Sequence, residues 1–230
     1  MVKHLEDEVQ YHYDTHPTEE DLMGEAIGHS KLVHYLIEVL RWHFRAEVCA
    51  ICDNLNFYQT SDPYEFPIIP DIAVIKGVSL PSQKTKSWRV GKTGPAPHVV
   101  FEVASEETWE RDIKEKPHSY ARMGVQEYYL FDPNDPPFWK KRYPRLIGWH
   151  LDQKREEMVQ MTADSQGRLW SPHLDSWLVP DGEYLRLYDR DNQRRLTEAE
   201  AEARRAEMYA KRAELLAEKL RALGVNPDEL

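Results

Sequence analysis

The sequence predicts a mixed α/β fold, a small β-sheet flanked by helices, with a long C-terminal helix after it. Three observations carry this. The runs "VCAICDNLNFYQ", "IIPDIAVIKG", "HVVFEVAS" and "QEYYLFDP" have the length and apolar character of buried strands. Stretches with helical spacing stand before and between them. Residues 196–223 contain no proline or glycine and are rich in Ala, Glu, Arg and Leu.

The 230 residues are 41% hydrophobic and 30% charged, enough for one core with a tail beyond it. Seven Trp and twelve Tyr speak against disorder over most of the length. Net charge is −10, so any contact with nucleic acid must rest on a local basic patch. No secretory leader pattern and no apolar run of about 18 residues is present, and a soluble, cytoplasmic protein is expected. Cys49 and Cys52 form a CxxC, which can be redox-active or half of a zinc site. Zinc needs four ligands, there is no second Cys pair, and the surroundings read as a strand. Two ordinary thiols in a reducing compartment are the expectation.

Residues 1–24 read as a polar lead-in, where His12, Asp14 and His16 lack an apolar anchor and are expected to be solvated. From Ser30, a plausible N-cap, Leu32, Val33, Leu36, Val39 and Leu40 recur at helical spacing and predict a helix over 30–45. Two strand runs follow, then a loop with Pro and Gly, then the third strand. "ETWERDIKEKPHSYARMG" is polar and helix-like, ended by Gly124. Pro117 inside it implies either a kink or a second helical segment that starts with the proline. "QEYYLFDP" is a strand stopped by Asp132 and Pro133. "LIGWHLD", "EEMVQMTAD" and "GEYLRLYD" read as short strands that extend the sheet antiparallel or form its rim. The tail, 191–230, holds a helix over 196–223 whose apolar face strengthens at Leu215, Leu216, Leu220 and Leu223. A short coiled coil joining copies of the chain is expected there, the alternative being a solvated helix.

Two carboxylates fall in apolar strand runs: Asp71 in "IIPDIAVIKG" and Glu102 in "HVVFEVAS". On neighbouring strands they could converge. Paired anions repel unless a cation lies between them, and Mg²⁺ or Mn²⁺ suits an oxygen-only site completed by water. A nearby lysine would complete a hydrolytic site. The helix after Glu102 offers Lys114 and Lys116. Asp112, Lys116 and Tyr120 share one helical face at four-residue spacing.

Together, "PDIAVIKG", "FEVASEET" and "RDIKEKPHSYARMGVQEYYLFDP" resemble the Uma2 family of candidate endonucleases, common in cyanobacteria and part of the PD-(D/E)XK nuclease superfamily. The resemblance spans roughly residues 25–190, and the closing "LRALGVNPDEL" is also similar to cyanobacterial members. It implies the restriction-endonuclease-like fold and a DNA endonuclease using Mg²⁺ or Mn²⁺. Asp71 matches the aspartate of the PD motif and Glu102 the second acidic ligand, with the backbone carbonyl of Val103 as a further metal ligand. The superfamily lysine normally lies two residues after that acid, where this chain has Ala104. Uma2-like sequences take it from the following helix, where Lys116 fits, with Lys114 as substitute. Tyr120 matches the aromatic after it, and Glu25 loosely matches a first-helix acid.

Two basic stretches could meet phosphates and bases: Lys76, Lys84, Lys86, Arg89 and Lys92 around Trp88, and Lys140, Lys141, Arg142 and Arg145 beside Trp139 and Tyr143. His34 and His43 read as structural. His98 and His118 have no assigned role. No phosphate-binding glycine loop, GxSxG or HExxH occurs. A carboxylate pair also suits a glycosidase, but the lysine and the small size argue against one. The rival to the nuclease is a catalytically silent module on the same fold that binds nucleic acid or a protein partner.

Overall fold

The computed structural model describes residues 27–227 apart from 61, 63, 81–84, 141 and 225. The lead-in with His12, Asp14 and His16, together with Glu25, Lys84 and Lys141, lies outside the described residues.

Helix α1 spans Ile27–His43. The apolar spacing read from the sequence is its buried stripe: Leu32, Val33, Leu36, Ile37, Val39 and Leu40 are all buried. The first strand run divides. Strand β1 (Cys49–Cys52) enters the main sheet. Strand β2 (Asn56–Tyr58) leaves it and pairs in parallel with β4 (Ser87–Arg89). Asn54, at φ 49°, turns the chain between them, a conformation that asparagine tolerates.

Strands β3 (Ile72–Lys76), β5 (Val99–Val103), β6 (Glu127–Phe131), β7 (Leu146–Asp152) and β8 (Glu157–Gln160) complete a six-stranded sheet of order β1-β3-β5-β6-β7-β8. Only β5 and β6 are parallel neighbours in it. The crossover between them carries helices α2 (Trp109–Lys114) and α3 (Lys116–Met123). So β7 and β8 are the antiparallel extension expected from the sequence. The third candidate, β11 (Tyr184–Tyr188), instead joins β10 (Ser176–Asp181) and β9 (Leu169–Ser171) in a separate three-stranded sheet. Gly148 lets the two sheets close: a Cβ there would stand 2.7 Å from Leu169 Cδ1 and 2.9 Å from Tyr129 Cε1.

Strand alternation sorts the core onto two faces. Ile72, Val74, Val99, Phe101 and Val103 pack with α1 and the three-stranded sheet. Ala73, Ile75, Val100 and Ala104 pack on the other face with Trp88 of β4 and Tyr120 and Met123 of α3. The odd spacing of Cys49 and Cys52 puts them on opposite faces, Cys49 against the first cluster and Cys52 within the second. Both are free thiols, and a shared metal is geometrically closed to them.

Helix α4 spans Glu198–Ala222 and opens on a capping box, with Thr197 accepting from the Glu200 N–H and Glu200 accepting from the Thr197 N–H. None of its residues is buried, and Met208, Tyr209, Leu215 and Leu216 face solvent. Among the described residues, no helix is long and apolar enough to cross a membrane.

Candidate active site

Parity and register bring the two strand carboxylates together. Asp71 shares the parity of Ala73 and Ile75, and Glu102 that of Val100 and Ala104, the face that α3 covers. In the antiparallel β3–β5 pair Ile72 stands opposite Phe101, so the residue before Ile72 lies beside Glu102. Asp71 is not inside its strand, as the sequence suggested, but one residue ahead of it, behind Pro70. A carboxylate there keeps access to water, and its side chain is 21% exposed against 3% for Glu102. The Val103 N–H donates to Asp71 Oδ2 at 2.7 Å, and the Asp71 N–H makes a long contact of 3.4 Å to Glu102 Oε2.

The α2–α3 break delivers the lysine. Glu115 closes α2 and caps α3, Lys116 is the first residue of α3, and Pro117 occupies the first turn. First-turn N–H groups have no partner within the helix, so a proline there removes nothing. Lys116 Nζ lies 2.7 Å from Glu102 Oε1 and 2.8 Å from Asp112 Oδ1. Lys114 turns away to the surface, where it pairs with Glu110 at 2.5 Å. Tyr120, one turn beyond Lys116, donates its hydroxyl to Glu102 Oε1. Asp112 is 1% exposed and also accepts from the Thr108 hydroxyl at 2.9 Å.

The charge states follow from burial and pairing. Burial pushes the Glu102 carboxyl up to about 7; Lys116 opposes that rise, and the Asp71 and Asp112 charges add to it. Burial alone would lower the Lys116 ammonium, but Glu102 and Asp112 outweigh it and hold the group above the ordinary lysine value. Burial, then the neighbouring Glu102, raises Tyr120 well above the usual phenol range, so it remains a donor.

Sequence reasoning missed His29. Its Nε2 lies 3.1 Å from Asp71 Oδ2, from the first turn of α1. A single histidine without a periodic partner gave no signal. His43 Nε2 meets the Leu174 carbonyl at 2.9 Å, and His98 Nδ1 accepts from the Lys76 N–H at 3.2 Å, so both are held by structure.

His29, Asp71, Glu102, Val103 and Lys116 line a cleft of about 1100 Å³. Its carboxylates are Asp71, Glu102, Glu106, Glu107, Asp135 and Glu183, against the cations Lys116 and Arg145. Among the described residues of the two basic stretches, Arg145 is the one that reaches it, and its guanidinium donates to the carbonyls of Asp132, Pro133 and Gly182. Lys76 lies at the other end of β3, with Nζ 3.1 Å from the His173 carbonyl. Trp88 and Trp139 are buried core residues, 1% and 3% exposed, and cannot serve as the stacking faces suggested by their basic neighbours. Their ring N–H groups are spent on the Pro95 carbonyl and on those of Tyr143 and Pro144. Among the described residues, no three His, Cys, Asp or Glu side chains form a ready metal cage.

A family model, Uma2, described as "Putative restriction endonuclease", matches residues 5–202. The chain belongs to the Uma2 family. This Uma2 chain is similar to a solved structure described as a putative nuclease belonging to DUF820, from Anabaena variabilis. The identity is 14% and the TM-score 0.45, covering 66% of this chain and 75% of that one. Comparison with curated proteins finds no match. Uma2 membership rests on a match across most of the chain, and it places this mixed α/β protein in a family described as a putative restriction endonuclease.

Proposed function

We propose that this Uma2 protein is a metal-dependent endonuclease that hydrolyses phosphodiester bonds in DNA. The observation that carries the reading is the meeting of Asp71, Glu102 and Lys116 in one open cleft, from two strands and a helix start. The donor set fits Mg²⁺ or Mn²⁺. Such ions take one or two carboxylates and complete their shell with water and substrate phosphate, so a full side-chain cage is not required. Asp71, Glu102 and the carbonyl of Val103 would hold the ion. When bound, it supplies Lewis-acid polarisation of the phosphate and water of lowered pKa.

The chain's own groups do the rest. The Val103 N–H fixes Asp71, and Tyr120 fixes Glu102. His29, 3.1 Å from the same Asp71 Oδ2, steadies that carboxylate from helix α1. Lys116, held cationic by its two carboxylates, orients the attacking water or offsets charge on the pentacoordinate phosphorus. A phosphate entering this acidic cleft needs the divalent ion as counter-charge.

Purified protein should nick or linearise plasmid DNA with Mg²⁺ or Mn²⁺ and stop in EDTA. Asp71→Ala and Glu102→Ala should each abolish cutting; equal cutting by either variant overturns the site. One observation favours a second reading, the silent binding module. Lys116 bridges two buried carboxylates, as a purely structural counter-ion would. Retained DNA binding without cleavage, and no divalent-ion effect on the melting temperature, would establish that reading instead.

A further inference from the structure

We propose that the loop between β2 and β3 is a docking surface for unpaired DNA bases, with Tyr64 and Phe66 as the stacking rings. Each ring is 81% exposed. An aromatic ring left in water forgoes the burial that normally recruits it to a core. These two are held outward by a clamped backbone. The Glu65 carboxylate, between them in sequence, accepts from the N–H groups of Gln59 and Thr60 at 2.6 and 2.8 Å and from the Thr60 hydroxyl at 2.8 Å. Asp62 Oδ1 accepts the Tyr64 N–H at 2.9 Å. At the base of the loop, Phe57 and Ile68 exchange both backbone hydrogen bonds, each 2.9 Å. Gln59, Thr60, Asp62, Tyr64, Glu65 and Ile68 are therefore tied down before any partner arrives, and docking loses little of their backbone entropy.

The loop also leads to the chemistry. Gln59 Nε2 reaches the Ser119 carbonyl of α3 at 3.4 Å, on the helix that carries Lys116. Ile69 lines the cleft, and Asp71 follows two residues later. The parallel β2–β4 pair sets Arg89 opposite Tyr58, where the loop begins. Lys86 and Lys92, which flank β4 in the sequence, are exposed. The Arg89 guanidinium lies 5.0 Å from the Tyr58 ring and donates to the Thr60 carbonyl. The cleft itself is acidic, so a polyanion must be gripped outside it. Bare aromatic faces on a loop adjoining Arg89, with exposed lysines flanking that strand, suit a single strand, whose bases offer π-faces that a duplex keeps stacked. The identity of the polymer rests on the nuclease reading; the added step is that the bound segment is unpaired.

The test is fluorescence anisotropy with labelled oligo-dT and with a duplex of equal length, using Ca²⁺ in place of Mg²⁺. The parent should bind oligo-dT more tightly than duplex. Tyr64→Ala/Phe66→Ala should weaken oligo-dT binding about tenfold or more with the salt dependence unchanged. Lys86→Ala/Lys92→Ala should flatten the salt slope by about 1.4, near 0.7 for each phosphate left without its lysine. Both pairs are exposed, so the variants should melt as the parent does. No oligo-dT binding by the parent, a preference for duplex, or unchanged binding after ring removal overturns the proposal. So does a change in solution mass in the ring variant, which would make the loop a contact between copies. Because binding is read without cutting, the two proposals fail separately. A protein that cuts plasmid but ignores ring removal loses only this inference. One that grips oligo-dT through the rings and never cuts loses only the nuclease.

Discussion

Replacing Lys116 with methionine tests the electrostatics of the cleft most directly. The substitution keeps an unbranched side chain of similar reach and deletes the ammonium between Glu102 and Asp112, which are 3% and 1% exposed. Breaking a buried pair by removing one partner costs about 3–5 kcal/mol when the stranded charge remains. Glu102 can escape that cost by binding a proton. With the lysine present its carboxyl already titrates near 7, and without it the value rises further. A carboxyl raised in the folded state binds more protons folded than unfolded. Stability therefore falls as pH climbs from the unfolded to the folded value, at about 1.4 kcal/mol per pH unit, and is flat above. For this group the parent levels off near pH 7, while Lys116→Met continues downward. The gap between them should widen by about 2–3 kcal/mol from pH 7 to pH 9. At pH 9 the melting temperature should lie about 6–20 °C below the parent, at roughly 2–4 °C per kcal/mol for a chain of this size. Thermal melts by circular dichroism in EDTA read this, and Glu102→Gln/Lys116→Met should remove the share of the widening with pH that Glu102 carries, while Asp112 stays without its lysine. A gap that does not change with pH, or no gap at all, refutes the assignment of Lys116 as counter-ion to a buried, titrating Glu102.

Divalent-ion affinity should follow the same carboxyl: below pH 7, Mg²⁺ binding measured by calorimetry should weaken toward tenfold per pH unit, with proton uptake by the buffer. Binding independent of pH between 5 and 7 excludes Glu102 as ligand. The cysteines should be sluggish nucleophiles, since burial pushes Cys49 to about 11 and Cys52 to about 12. Iodoacetamide at pH 8 should modify Cys49 about 100-fold more slowly than an exposed thiol, its thiolate fraction being that much smaller, and labelling at the free-thiol rate contradicts the placement. Removal of residues 198–230 should lower the oligomeric state measured by light scattering. Helix α4 buries none of its residues within the chain, and from Ala206 onward Ala206, Ala213 and Leu220 with Tyr209, Leu216 and the C-cap Leu223 fall at heptad spacing for a second copy. A mass change that matches the deleted residues alone leaves α4 a solvated helix.

The features legible in the sequence were those with a strong local signature. A carboxylate in a run of Ile, Val and Phe is anomalous on its own, and Asp71 and Glu102 stood out for that reason. The apolar stripe of α1 and the unbroken α4 were equally plain. What escaped was short or non-local. Strands β2, β4 and β9 have three residues each, too few to show a period of two, and their pairing is decided by partners far along the chain. Charge around an aromatic also misled: Trp88 and Trp139 sit among lysines and arginines yet point inward. Tyr64 and Phe66 have only acids close by in sequence and point outward. Neighbouring charge fixes the solvation of the backbone stretch, while the facing of each ring is set by strand parity and turn geometry.

The same logic explains how the lysine of the proposed site comes from a helix rather than from the strand. A lysine two residues after Glu102 would stand on the same strand face; there this chain has Ala104, 5% exposed and packed in the core cluster that includes Tyr120. The cation comes instead from the helix lying over that face. What the proposed chemistry asks for is an ammonium within hydrogen-bonding distance of Glu102, and any backbone that delivers it will serve. Here delivery depends on the break at Glu115. It frees the first turn of α3 to accept Pro117, and it sets Lys116 four residues beyond Asp112, so a second carboxylate steadies the ammonium from behind. The proline that looks like a fault in a helix marks the start of the element that presents the lysine.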